Sequence, residues 1–115
     1  MKIMNDVFSQ NITALLDEGS YFEGKLTFEG AAQISGEFKG EIFTHDTVII
    51  NESALVVAQI EAETVIIKGK VEGNLFARKR VIMLPPAVFK GTVTSPSLKI
   101  EEGVVFEGAS FIPNP

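Results

Sequence analysis

The sequence has no cysteine and no tryptophan, and only one tyrosine and one histidine. Without cysteine there is no disulfide framework and no thiolate metal site, and the setting fits a reducing, cytoplasmic compartment. One histidine alone is a poor metal site, so neither metal nor cofactor is expected. Positive charge is also scarce. Ten Lys and Arg stand against fifteen Asp and Glu, for a net charge of -5. A general nucleic-acid binder would carry a basic face, so no nucleic-acid partner is expected. No apolar run approaches the roughly 20 residues that span a bilayer. The opening MKIMNDVFSQ lacks the apolar core and small-residue cleavage site of a secretory signal. There is no GxxxxGK[ST], hence no P-loop to drive assembly by nucleotide hydrolysis.

What is present is phenylalanine, nine of them, in a chain of 115 residues that is 45% hydrophobic. That is one domain with enough apolar content for a packed core. Several of the phenylalanines recur in one context, apolar-x-small-x-apolar. It reads FEGKL at 22–26, FKGEI at 38–42, VVAQI at 56–60, VEGNL at 71–75 and FKGTV at 89–93. FEGAS at 106–110 keeps the front half only. The small residues Gly24, Gly40, Ala58, Gly73, Gly91 and Gly108 are spaced by 16, 18, 15, 18 and 17. A second apolar segment follows each anchor: QISG, VII, VII, VIML and LKI.

A period of about 17 is neither a helix stripe nor a heptad, and Val, Ile, Thr and Phe favour strand. It is too short for a strand–helix–strand unit of about 30 residues. It suits one coil of a β-solenoid, with about six coils stacked as parallel strands about 4.8 Å apart. The reading is all-β, a single-domain parallel β-helix over residues 20–112, with tails at 1–19 and 113–115. A short amphipathic turn is the alternative for NITALLDEG. In the coil SGEFKGEI, alternation points Phe38, Gly40 and Ile42 to the axis and Glu37, Lys39 and Glu41 to water. Gly40 then makes room inside the tube, and Gly36 and Gly69 serve corners that need positive φ.

A solenoid's terminal coils expose unpaired backbone and apolar core unless they are capped. The first coil carries Tyr21, Phe22, Leu26 and Phe28. The last carries Val104, Val105, Phe106, Phe111 and Ile112. Both sets are expected to be contacts in end-to-end stacking, with an N-terminal cap as the alternative for one end. The expected partner is therefore the chain itself. Alternation also turns Ile49, Ile66 and Ile82 outward on adjacent coils, a candidate lateral contact flanked by Gln33 and Lys99. Met1, Ile3, Met4, Val7 and Phe8 form a candidate membrane contact, weak singly and strengthened by avidity in a polymer.

Catalytic chemistry finds little support. His45 and Asp46 fall in a loop with no assignable nucleophile or oxyanion donor, and read as polar corner residues. Asp17-Glu18 and Glu101-Glu102 are chain neighbours, not a positioned acid/base couple. Arg78-Lys79-Arg80 reads as a solvated corner, with a phosphate or anionic-lipid contact as the alternative. No enzyme is expected.

Taken together, the F-x-G-x-[LIV] anchors, the V-I-I segments, ISGEFKGEI, IIKGKVEGNL and IEEGVVFEG resemble the bactofilin family of bacterial cytoskeletal proteins, over about residues 18–112. The resemblance implies a right-handed β-helix that polymerises without nucleotide into non-polar filaments. It implies a scaffold for cell shape, cell-wall organisation or protein localisation at the inner face of the cytoplasmic membrane. Cell-wall enzymes or polar proteins are the implied partners. The short stretch 113–115 departs from the flexible Pro-rich tails of many members. The competing readings are a left-handed β-helix acyltransferase-like trimer and a membrane-associated scaffold that does not polymerise.

Overall fold

The structure, a computed structural model, describes residues 14–113. Ten strands follow one another without a helix among the described residues: β1 (Ala14–Leu16), β2 (Tyr21–Phe28), β3 (Ala32–Ile34), β4 (Glu37–Thr44) and β5 (Thr47–Ile50). They continue as β6 (Leu55–Ile67), β7 (Lys70–Met83), β8 (Val88–Thr94), β9 (Leu98–Ile100) and β10 (Val105–Phe111). Every pairing is parallel. One ladder runs β2, β4, front of β6, front of β7, β8, β10. The other runs β1, β3, β5, back of β6, back of β7, β9.

The result is a β-solenoid of about five turns with half a coil overhanging at each end. The expectation of about six coils is thus trimmed. The sixth repeat contributes β10 among the described residues. The ladder also starts before residue 20. Ala14–Leu16 is a strand paired with Ala32–Ile34, where the sequence also allowed an amphipathic turn.

The register reproduces the repeat, with a single one-residue shift in the β6–β7 pairing between Ala62 and Thr64. Phe22, Phe38, Val56, Val71, Phe89 and Phe106 form one inward column. Val48, Val65, Val81 and Leu98 form a second, and Ile34, Ile50, Ile67, Met83 and Ile100 a third. Inner members of these columns are fully buried, among them Phe38, Val48, Ile50, Ile67 and Val81. Each such side chain contributes roughly 1.5–3 kcal/mol of burial. In the first of these columns phenylalanine is confined to the outer coils. Phe22 stacks on Phe38 at 5.3 Å and Phe106 on Phe89 at 5.5 Å, while Val56 and Val71 fill the middle. Offset aromatic stacks of this kind add about 0.5–1.5 kcal/mol beyond area burial.

The two glycine classes exchange the explanations given by sequence. Gly40 is exposed and has φ of 132°, so it bends the strand between Phe38 and Ile42 and does not clear space in the core. A Cβ there would run into the carbonyl oxygen of Gly24 on the preceding coil. Gly36 lacks positive φ. It is needed because a Cβ would strike the carbonyl oxygens of Asp17 and Ser20 in the corner below, and Gly69 repeats the arrangement with Asn51. Ala58 completes the column of anchors, yet no non-glycine residue among those described has positive φ, so coil three turns with ordinary backbone.

Corners are tied from coil to coil. Asn51 donates from Nδ2 to Ser35 Oγ at 2.7 Å, and Ser53 donates to the Ser35 carbonyl at 2.8 Å. The buried Thr44 hydroxyl donates to the Gly30 carbonyl at 2.9 Å, so this inward polar group is satisfied.

Candidate functional site

The two ends of the solenoid present the free edges. Among the described residues, β2 pairs only with β4 and β1 only with β3; β10 pairs only with β8 and β9 only with β7. Each terminal strand therefore offers a row of backbone donors and acceptors that a further parallel or antiparallel strand could take up.

At the C-terminal end the expected residues form an open apolar surface. Phe106 lies in the inward column above Phe89 and is half-buried, as is Val104. Val105, Phe111 and Ile112 are exposed, the last two by 57% and 66%. Phe111 sits above Thr94 on the outward side of β10, so it rims this surface and does not continue the core.

Sequence reasoning missed two members of the same surface, Leu98 and Ile100. They end the inward columns, no strand among the described residues covers them, and Ile100 is 40% exposed. The signal was available. LKI at 98–100 is the last of the second apolar segments in the sequence.

The N-terminal end differs. Of its four expected residues, Leu26 and Phe28 are already buried in the single chain. Phe22 is half-buried, and Tyr21 points outward, where its phenol donates to Glu23 Oε1 at 2.7 Å. That hydrogen bond, followed by the nearby acidic charge, raises the Tyr21 pKa. The candidate membrane residues Met1, Ile3, Met4, Val7 and Phe8 lie outside the described residues.

Ile49, Ile66 and Ile82 fall in register on adjacent strands, with Gln33 and Lys99 continuing the column on either side. All three isoleucines are half-buried by their neighbours. His45 is exposed at a corner, its ring edge-on to Phe43 at 5.2 Å, and Asp46 Oδ1 accepts from the Thr47 amide. Arg78 is structural. Its guanidinium donates to the Thr44 carbonyl at 2.9 Å and lies 3.8 Å from Glu61, tying three coils together. Lys79 faces Glu63 at 3.7 Å. Two members of the basic cluster are thus engaged within the fold.

Comparison with known proteins agrees with this architecture. A solid-state NMR structure of the cytoskeletal bactofilin BacA superposes with a TM-score of 0.81 at 28% identity, covering 91% of this chain and 100% of that one. A cryo-EM reconstruction of Thermus thermophilus bactofilin double helical filaments gives a TM-score of 0.81 at 27% identity, covering 86% and 98%. Two Myxococcus xanthus (strain DK1622) proteins are similar in sequence. Bactofilin BacO is 29% identical over 86 residues, which is 75% of this chain and 68% of BacO. Bactofilin BacP is 28% identical over 85 residues, which is 74% of this chain and 35% of BacP. The family model for Bactofilin, described as polymer-forming cytoskeletal, matches residues 14–110, the whole solenoid but its last strand residue. A coil of about 17 residues repeated in parallel register, matched over residues 14–110 by the Bactofilin family model, places the chain in the bactofilin family.

Proposed function

We propose that this chain assembles end to end, without nucleotide, into non-polar filaments that serve as a scaffold for cell shape, cell-wall organisation or protein localisation. The observation that carries the reading is the open C-terminal coil. Half-exposed Phe106, exposed Ile100 and the unpaired edges of β9 and β10 are together what a second copy would cover. Covering them buries apolar surface at about 25 cal/mol per Å² and satisfies the strand edges. Non-polarity follows if C-terminal coils meet each other and N-terminal coils do likewise, each contact being self-complementary.

The test is negative-stain microscopy of purified protein without nucleotide. Wild type should form filaments, and Phe106→Arg or Phe111→Arg should give folded monomers or short oligomers. Arginine at a desolvated contact would have no evident charge partner. Wild-type-length filaments from both variants would refute the C-terminal contact. The inner face of the cytoplasmic membrane is proposed as the surface on which filaments lie, through the apolar residues of MKIMNDVF. Liposome flotation should then decrease on removal of residues 1–13.

A further inference from the structure

We propose that one broad face of the solenoid docks a second copy of the chain with its axis antiparallel to the first. The face consists of the first three residues of β2, β4, β6, β7, β8 and β10, taken as rungs one to six. The inference rests on lateral register and is independent of end-to-end assembly.

Two columns of this face point outward. One runs Tyr21, Glu37, Leu55, Lys70, Val88, Val105; the other runs Glu23, Lys39, Val57, Glu72, Lys90, Glu107. Rung three is the only one without a charge. There Leu55 and Val57 are 43% and 38% exposed, an unusual pair for the middle of an outward ladder. The charges on either side of it are inverted. Rung two reads Glu37 then Lys39, and rung four reads Lys70 then Glu72.

That inversion is the mark of a two-fold axis. If the axis runs along rung three, between two facing copies, the solenoid axes oppose and each column meets itself. Leu55 and Val57 then meet their own copies. Glu37 faces Lys70, Lys39 faces Glu72, Glu23 faces Lys90, and Tyr21 faces Val88. No like charges meet. Moving the axis half a rung sets Lys39 against Lys90 or Glu23 against Glu72. Moving it a whole rung sets Lys39, or Glu72, against itself. Such like-charge contacts disfavour the wrong registers.

Alternating charge along a ladder can also serve neighbours within one chain, as Lys90 and Glu107 do at 4.0 Å. The four charges of rungs two and four form no such ion pair with another described residue. They remain available to a partner. A shallow groove lined by Leu55, Lys70, Val71 and Val88 lies where this register brings Glu37 and Tyr21 of the second copy. The isoleucine stripe of Ile49, Ile66 and Ile82 lacks any charge code of this kind.

The absence of native cysteine makes the test direct. Val57→Cys, treated with a short bismaleimide, should yield a cross-linked dimer as the main species, in the wild-type and Phe106→Arg backgrounds alike. Ile66→Cys should stay uncross-linked. Lys39→Cys mixed with Glu72→Cys should cross-link, and neither alone should. Adding Lys39→Glu to Val57→Cys should abolish the dimer, and further adding Glu72→Lys should restore it. A Val57→Cys protein that never cross-links, or cross-linking through Ile66→Cys instead, would overturn the proposal. So would preferential linkage of Leu55→Cys to Val57→Cys, which signals parallel axes. Loss of filaments in Phe106→Arg with the Val57→Cys dimer retained would separate this contact from the terminal one.

Discussion

Leu16 and Ile100 end the same inward column at opposite ends of the solenoid, yet Leu16 is 3% exposed and Ile100 is 40%. The contrast extends around the coil. Leu26 and Phe28 are buried at the N-terminal end, whereas Ser110 ends Leu26's column at the other. Both ends inherit one repeat template, so the template alone does not decide which end is finished. β1 adds a strand whose Leu16 carbonyl accepts from the amides of Ser35 and Gly36. At the other end the second ladder ends at β9 among the described residues. One end is core and the other is surface, built from the same residue types.

The largest expected effect tests that division. Leu16→Ala should lower unfolding free energy by about 2–5 kcal/mol in urea titrations, the range for emptying a buried leucine site. Ile100→Ala should cost the dilute monomer less than about 1.5 kcal/mol, since much of that side chain is still in water. Equal losses would erase the distinction between the ends.

The next contrast uses the anchors. Gly91→Ala forces a Cβ onto the Gly73 carbonyl in addition to its positive φ, and should cost about 3 kcal/mol or more. Gly24→Ala has the same backbone problem but meets only its own Phe22 ring, at 3.6 Å. Its loss should be about 1–3 kcal/mol from strain alone. Denaturant midpoints for the pair would show whether close stacking or φ dominates.

Smaller effects separate the interior from the ends. Asn51→Ala removes a corner bond to Ser35 and should cost about 1 kcal/mol. Glu107→Gln at the C-terminal edge should change stability by less than about 1 kcal/mol, and the difference should vanish in high salt. A salt-insensitive loss at Glu107 would mean that the last strand relies on more than screened charge.

The repeat, the parallel ladder and most of the core were legible because burial on one face imposes a period of two within strands. A coil length near 17 then repeats it. Phe38 is covered on both sides, as its place in the second repeat requires, at 1% exposure. β1 was not legible, because a three-residue strand carries no anchor and too little alternation to count. The duties of Gly40 and Gly36 were assigned the wrong way round, since sequence shows that a side chain is missing but not what it would have hit. Ile100 was missed for a related reason. Its type matches every other residue in its column, and only the stacking order reveals that nothing lies above it.

The anchors are spaced unevenly, by 15 to 18 residues, yet Gly73 sits over Ala58 and Gly91 over Gly73 without drift. Corners absorb most of the difference, and a one-residue register shift in the β6–β7 pairing, between Ala62 and Thr64, absorbs the rest. The molecule therefore measures its length in rungs, each adding about 4.8 Å, whatever number of residues that rung consumes. An insertion at a corner such as Glu52-Ser53 should leave every face and the total height alone. One residue added between Val56 and Ile60 of β6, away from the register shift at Ala62–Thr64, would turn the following side chains of that segment from core to water.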